Sequence, residues 1–313
     1  MPLSDTETIH ELSRLHGTAA AKWMRIAAIA SILVAAILVF TKAGALLATG
    51  SAVILATLID SILDGGASIL NFIAVRHSVQ PADDEHRFGH GKAEAVAALG
   101  QAAFIGGSAA FLTFESARRM IDPEPVTQSQ TGIAVTVFAI VLTIGLVGLQ
   151  RYVARRTGSL AISADSMHYG SDLLLNIGVI IGLVLSGYYG IAIADPLIAL
   201  LIAGWIGWSA IRIFRYALDQ IMDRELPEED RETLRDIALS HSEVHAIHDV
   251  RSRLSGITPF IQLHVEMDPN LPLHRAHEIA DEVEEEVKAA FPGAEVIIHQ
   301  DPVGFEKDPA FPD

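Results

Sequence analysis

The chain has 313 residues, half of them hydrophobic and only 6% aromatic, with a mean hydropathy of +0.37, which excludes a soluble domain of this size and reads as a polytopic α-helical membrane protein. The formal charge of -16 is concentrated after Asp219 and disfavours nucleic acid as a partner while suiting cations. With no cysteine there are neither disulfides nor thiolate metal sites, so imidazole and carboxylate must hold any metal, which points to Zn, Fe, Mn or Cd rather than Cu(I).

In chain order, His10, Glu11, Arg14 and His16 precede the first apolar block, so residues 1–22 are expected to be a cytosolic leader rather than a signal peptide. Six apolar blocks follow, each near the ~20 residues that a bilayer core requires. They run at Trp23 to Ala48, Ser51 to Arg76, Ala93 to Met120, Gly132 to Tyr152, Leu160 to Gly187 and Ile191 to Phe214. An even number leaves both termini on one side. Lys22, Arg25, Arg76, Arg87, Lys92, Arg151, Arg155, Arg156, Arg212 and Arg215 share that side, and only Lys42, Arg118 and Arg119 oppose them. By the positive-inside rule the termini are cytoplasmic, with Asp122 and Glu124 beside the two exceptional arginines.

The second block carries Asp60 and Asp64 in Leu58-Ile-Asp-Ser-Ile-Leu-Asp64, and the fifth carries His168 and Asp172 at the same spacing. Ionisable groups at the centre of such helices cost roughly 2.5 to 3.5 kcal/mol each, so they are retained where something uses them. Residues i and i+4 share a helix face, so two such faces meeting would give a closed four-ligand site of the kind Zn2+ prefers. Asp165, one turn nearer the cytosol, either lines an entrance or caps the helix, and Asp195 before Pro196 reads as an N-cap.

The connection after the second block, Pro81-Ala-Asp-Asp-Glu-His-Arg-Phe-Gly-His-Gly-Lys92, gathers Asp83, Asp84, His86 and His90. Spacing alone fits a loop metal site and a solvated loop equally. From Asp223 onward the pattern becomes that of a small soluble domain. It has a helix opening at Pro227-Glu-Glu-Asp-Arg, a strand near Asp249 to Leu254 and a Ser255-Gly256 turn. The alternating run Phe260 to Met267, a helix over Leu273 to Ala290 and a strand over Glu295 to His299 complete an αββαβ unit, a sheet covered by helices on one face. Period-2 alternation puts His264 on the face of Gln262 and Glu266, and His299 on that of Asp301, while His248 and His277 stand near the starts of a strand and a helix. Any one of these fits a surface histidine. Together they also fit a binuclear site bridged by Asp301, with His241, His245 and His274 left exposed.

The six blocks, the two i,i+4 pairs and the runs Gln80-Pro-Ala-Asp-Asp, Phe88-Gly-His-Gly-Lys-Ala-Glu94 and Val296-Ile-Ile-His-Gln-Asp-Pro302 resemble the cation diffusion facilitators, closest to their YiiP-type bacterial zinc and ferrous-iron efflux branch. The likeness covers Trp23 to Val303. It implies a homodimeric metal/proton antiporter in the bacterial inner membrane, with transmembrane residues 23–219, a ferredoxin-like cytoplasmic domain over 220–303 and a tail over 304–313. It implies a transport site on Asp60, Asp64, His168 and Asp172 and a loop site on Asp83, His86 and His90. A cytoplasmic binuclear zinc site falls on His248, His264, His277, His299 and Asp301, and a charge interlock on Lys92 and Asp223. The metal is expected to be Zn2+, with Cd2+ or Fe2+ as further substrates and His168 as the group that exchanges the proton.

Two rivals follow from the same residues. An intramembrane metalloenzyme would need an open metal position and a base, as in His-Glu-xx-His, and His277-Glu-Ile-Ala-Asp281 ends in Asp. A membrane-anchored sensor without transport would need ligands only in the cytoplasmic domain, which the intramembrane quartet opposes.

Overall fold

A computed structural model of the chain describes residues 17–50, 52–121, 130–189 and 193–305. Two units divide it, Ala21–Leu218 and a second that takes in the chain from Asp219.

The first unit is built from long helices: α1 (Gly17–Thr49), α2 (Ala52–Ser78), α3 (Ala93–Ile121), α4 (Gln130–Thr157), α5 (Leu160–Tyr189) and α6 (Ala194–Ile221). Over their described residues, all but α5 are long and apolar enough to cross a membrane; α5 carries its polar run, Asp165 to Asp172, in its first half. Several helices overrun the apolar blocks that announce them: α4 continues to Thr157 and α6 to Ile221. Beyond the apolar stretch a helix keeps satisfying its own backbone, so charged residues such as Arg155 and Arg215 extend it. Asp122 and Glu124 lie outside the described residues, and Arg118 pairs with Glu115 at 3.3 Å.

The α4–α5 junction sets the position of the site. Gly158, in the left-handed region at φ 71°, closes α4 with its N–H on Ala154 O at 2.8 Å. Ser159 then caps α5, its Oγ accepting from Ile162 N at 3.3 Å. The short turn lays α5 antiparallel on α4, and α5 packs also against α3 and α2.

In the second unit, α7 (Glu228–Ser240) and α8 (Leu273–Ala290) pack on a three-stranded sheet of β1 (Ala246–Ser255), β2 (Thr258–Met267) and β3 (Glu295–Pro302). The order is β1-β2-β3, antiparallel then parallel. Leu234 and Ala238 of α7, Ile261, Leu263 and Val265 of β2, and Ile279, Val283 and Val287 of α8 form one core. Because strand side chains alternate, burying the odd residues of β2 turns Gln262, His264 and Glu266 to the face without helices. This is the αββαβ order expected from the sequence.

Candidate metal centres

Helix pairing brings three of the four intramembrane residues together. His168 Nε2 lies 3.1 Å from Asp64 Oδ1 and 3.7 Å from Asp172 Oδ2. One ligand atom from each falls within 4.8 Å of the others, and Asp172 Oδ2 is buried without a hydrogen-bond partner. Phe104 of α3 packs its ring edge-on to His168, with ring centres 5.3 Å apart.

Asp60 is outside the three and exposed, so the four-ligand closure expected from the spacing is not formed in this conformation. Asp60 stands one turn nearer the start of α2 than Asp64, on the turn that Lys42 engages, so a shift or rotamer change must bring it to the other three.

Further polar groups tie these helices together. Glu94, in the first turn of α3 and 1% exposed, accepts from Ser159 Oγ at 2.6 Å, Ala161 N at 3.3 Å and Ser78 Oγ at 3.4 Å. One buried carboxylate thereby joins the end of α2, the start of α3 and the N-terminus of α5, where the macrodipole favours it. Its signal in the sequence was an acid opening a helix directly after the Phe88-Gly-His-Gly-Lys run. Asp165 is 1% exposed and accepts from Gln150 Nε2 at 2.6 Å, so it is an interior partner of α4 rather than a free end cap. Ser68 and Tyr169 share a hydrogen bond of 2.7 Å between α2 and α5. Lys42 of α1 donates to Ser61 Oγ at 2.6 Å and Thr57 O at 2.9 Å, on the turn of α2 that carries Asp60. A lysine in an apolar helix was the available signal. The side chain of Asp195 lies outside the described residues.

The loop cluster also assembles. Asp83 Oδ1 accepts from His86 N at 2.7 Å and Glu85 N at 3.0 Å, an Asx turn that ties off the loop. Those backbone donors, that of His86 foremost, hold the Asp83 carboxyl below the usual carboxylate range. Asp83 reaches His86 Nδ1 through Oδ1 and buried His90 Nε2 through Oδ2, both at 3.3 Å. Asp84 pairs with Arg87 at 2.7 Å and points its charge there.

In the second unit, strand register places three imidazoles side by side: His248 pairs with His264 across β1–β2, and His264 with His299 across β2–β3. Ring centres are 5.0 Å and 4.5 Å apart. Asp301 spans them, its Oδ2 at 2.8 Å from His264 Nδ1 and 3.4 Å from His248 Nε2, its Oδ1 at 3.2 Å from His299 Nε2. Glu266 adds a carboxylate oxygen 3.4 Å from His248 Nδ1. A carboxylate using each oxygen toward different imidazoles fits a bridging ligand, and this oxygen and nitrogen set suits zinc.

His277 is not in that cluster. It sits exposed on α8, which covers the other face of the sheet, and lies 3.6 Å from Asp281. His241, expected to be exposed, is largely covered and meets Glu282 at 2.8 Å. Lys92 and Asp223 belong to different units; within its own, Asp223 accepts from Arg253 Nη1 at 3.1 Å.

A helical membrane unit that buries an imidazole between carboxylates, followed by a sheet domain with a second such cluster, defines a membrane carrier of metal cations. The chain belongs to the cation efflux family: the family's transmembrane domain matches residues 28–222 and its cytoplasmic domain residues 226–303. It is 49% identical over 276 residues to the cation-efflux pump FieF of Cronobacter sakazakii, covering 88% of this chain and 92% of that one. The same figures hold for FieF of Escherichia coli K12. A solved chain named CzrB is 31% identical over 28% of this chain and 99% of its own, with a TM-score of 0.26, too low to bear on the fold. The motif resemblance is therefore borne out: the chain is a multi-pass cation efflux transporter and not an enzyme.

Proposed function

We propose that this transporter carries Zn2+, with Cd2+ and Fe2+ as further substrates, out of the bacterial cytoplasm across the inner membrane in exchange for protons, as a homodimer with both termini cytoplasmic. The observation that carries this reading is the buried cluster of Asp64, His168 and Asp172 inside the helices. An imidazole between carboxylates selects borderline divalent ions over harder ones, which favours zinc over manganese. The bias of Lys and Arg toward the terminal side of the spans supports the orientation.

A ligand must be deprotonated to hold a divalent cation, so metal arriving releases protons and protons arriving expel metal. Imidazole is the side chain whose ordinary pKa lies nearest neutral pH, and His168 holds the central place between the two carboxylates. On the side of the cluster toward the loop, the Ser68–Tyr169 and Asp165–Gln150 hydrogen bonds close the packing. On the other side Asp60 is exposed and Asp172 partly so. That asymmetry supports reading this conformation as the one open away from the cytoplasm, with Asp60 joining as fourth ligand when the site closes.

Residues 220–303 would sense cytosolic zinc through His248, His264, His299 and Asp301 and hold the dimer. A Lys92–Asp223 interlock would pass the change to residues 23–219. The deciding experiment is zinc flux into proteoliposomes under an imposed pH gradient, with Asp64→Ala alongside. Flux that persists undiminished after the gradient collapses removes the antiport reading.

A further inference from the structure

The loop cluster supplies three ligands, one short of a closed tetrahedral site. A fourth imidazole stands beside it on a different element. His77, in the last turn of α2, has its ring centre 4.4 Å from that of His90, against 4.5 Å between His86 and His90. The same spacings recur in the sheet cluster, at 4.5 Å and 5.0 Å. Two imidazoles on one tetrahedral zinc have ring centres about 5 Å apart, since each nitrogen lies about 2 Å from the ion.

Two further observations bear on the position. The Nδ1 of His90 is buried without a hydrogen-bond partner, so this interior imidazole has a polar atom still to be accounted for. Gln80 N donates to His77 O at 3.0 Å, so the chain turns immediately after His77, and the loop returns His90 against it. His77 itself is exposed, which leaves its side-chain torsions free to bring a ring nitrogen inward.

We propose that His77 is the fourth ligand of the loop site and closes it around a resident divalent cation of the borderline class, such as Zn2+, Co2+ or Cd2+. The inference rests on reading Asp83, His86 and His90 as a metal site. It assigns that site a different task from the transport cluster. Four protein ligands leave no position for exchange with water, so the ion stays and ties the end of α2 to the loop that leads into α3.

The test uses the full chain carrying Asp64→Ala, His264→Ala and Asp301→Ala, which break the membrane and sheet clusters so that the loop site is the one measured, with Co2+ alone as the probe. The expected result is one tightly bound Co2+ per chain with the strong visible absorption of tetrahedral cobalt. His77→Ala should weaken binding about 10- to 100-fold and reduce that absorption to the faint bands of higher coordination. Unchanged affinity and spectrum in His77→Ala, while Asp83→Ala abolishes binding, overturn the proposal and leave the three-ligand site standing. Weaker binding with an unchanged tetrahedral spectrum overturns it too, by making His77 a partner of the His90 ring rather than of the metal. If Asp83→Ala binds Co2+ as tightly as its parent, the loop-site reading falls and the proposal with it.

Discussion

The membrane cluster and the sheet cluster use the same chemistry and are built in opposite ways. Asp64 comes from α2 and the i,i+4 pair His168 and Asp172 from α5, and nothing but the packing of those helices sets how far Asp64 lies from that pair. His248, His264 and His299 stand in one row across three hydrogen-bonded strands, and they cannot part without breaking the sheet. A site held by helix packing can open and close as helices slide, because its ligands move with the helix that carries each. A site held by register is assembled before metal arrives. The first construction suits a carrier that must release its ion, the second a receptor that must keep one conformation until the ion binds.

The largest effect expected from breaking this comparison is in the membrane cluster. Asp64→Ala removes the α2 carboxylate that reaches His168 and should lower zinc flux in proteoliposomes by more than about 100-fold, with the protein still eluting as folded. A residual flux within tenfold of the parent would mean that the helices can recruit another ligand. Next, His264→Ala should weaken zinc binding in the second unit about 10- to 100-fold and raise the KM for transport while leaving kcat near the parent value. A fall in kcat with KM unchanged would break the division between carrier and receptor.

A third prediction addresses the scaffold instead of the ligands. Glu94→Gln keeps the shape but puts an amide N–H, which cannot accept, in place of one of the two oxygens that take hydrogen bonds from Ser159, Ala161 and Ser78, and should destabilise the helical unit by about 1 to 3 kcal/mol, read as a lower Tm. The same substitution should weaken zinc binding at Asp64 and His168, since it loosens the junction that aligns α2 with α5; an unchanged Tm and affinity would show the junction to be redundant.

The smallest effect is a pH dependence confined to the second unit. The Arg275 side chain, by hydrogen bonding, holds Glu243 below the ordinary carboxylate range, and His241 followed by Arg275 does the same for Glu282. A lowered carboxyl contributes stability above its unfolded value of about 4.3 and loses it as pH falls through the folded value. Protection of the α8 amides in the full chain, measured as hydrogen exchange relative to the intrinsic rate at each pH, should therefore fall below about pH 4, and Arg275→Ala should flatten that fall. Equal acid sensitivity in the two chains would place the protonation elsewhere.

The i,i+4 pairs were legible in sequence because helical spacing is a local property and a carboxylate in an apolar run is conspicuous. The alternation of β2 likewise announced which face His264 would take. Glu94 and the Gln150–Asp165 pair were not legible, since each becomes meaningful only when residues 15 to 67 positions away in the chain come within hydrogen-bond reach. The place of His277 was not legible for the matching reason. Its place near a helix start said nothing of which face of the sheet that helix would cover.

By itself the sequence determined the membrane-length helices, the order of the αββαβ unit, the family and the kind of ligand, because these follow from periodicity, apolarity and the absence of cysteine. The tertiary structure decided which ligands stand together. It leaves Asp60 outside the cluster that Asp64 joins, sets Asp301 across three imidazoles through register, and leaves His277 on the far layer. Coordination depends on distances of a few ångströms between residues remote in the chain, and those are set by packing and pairing rather than by local pattern.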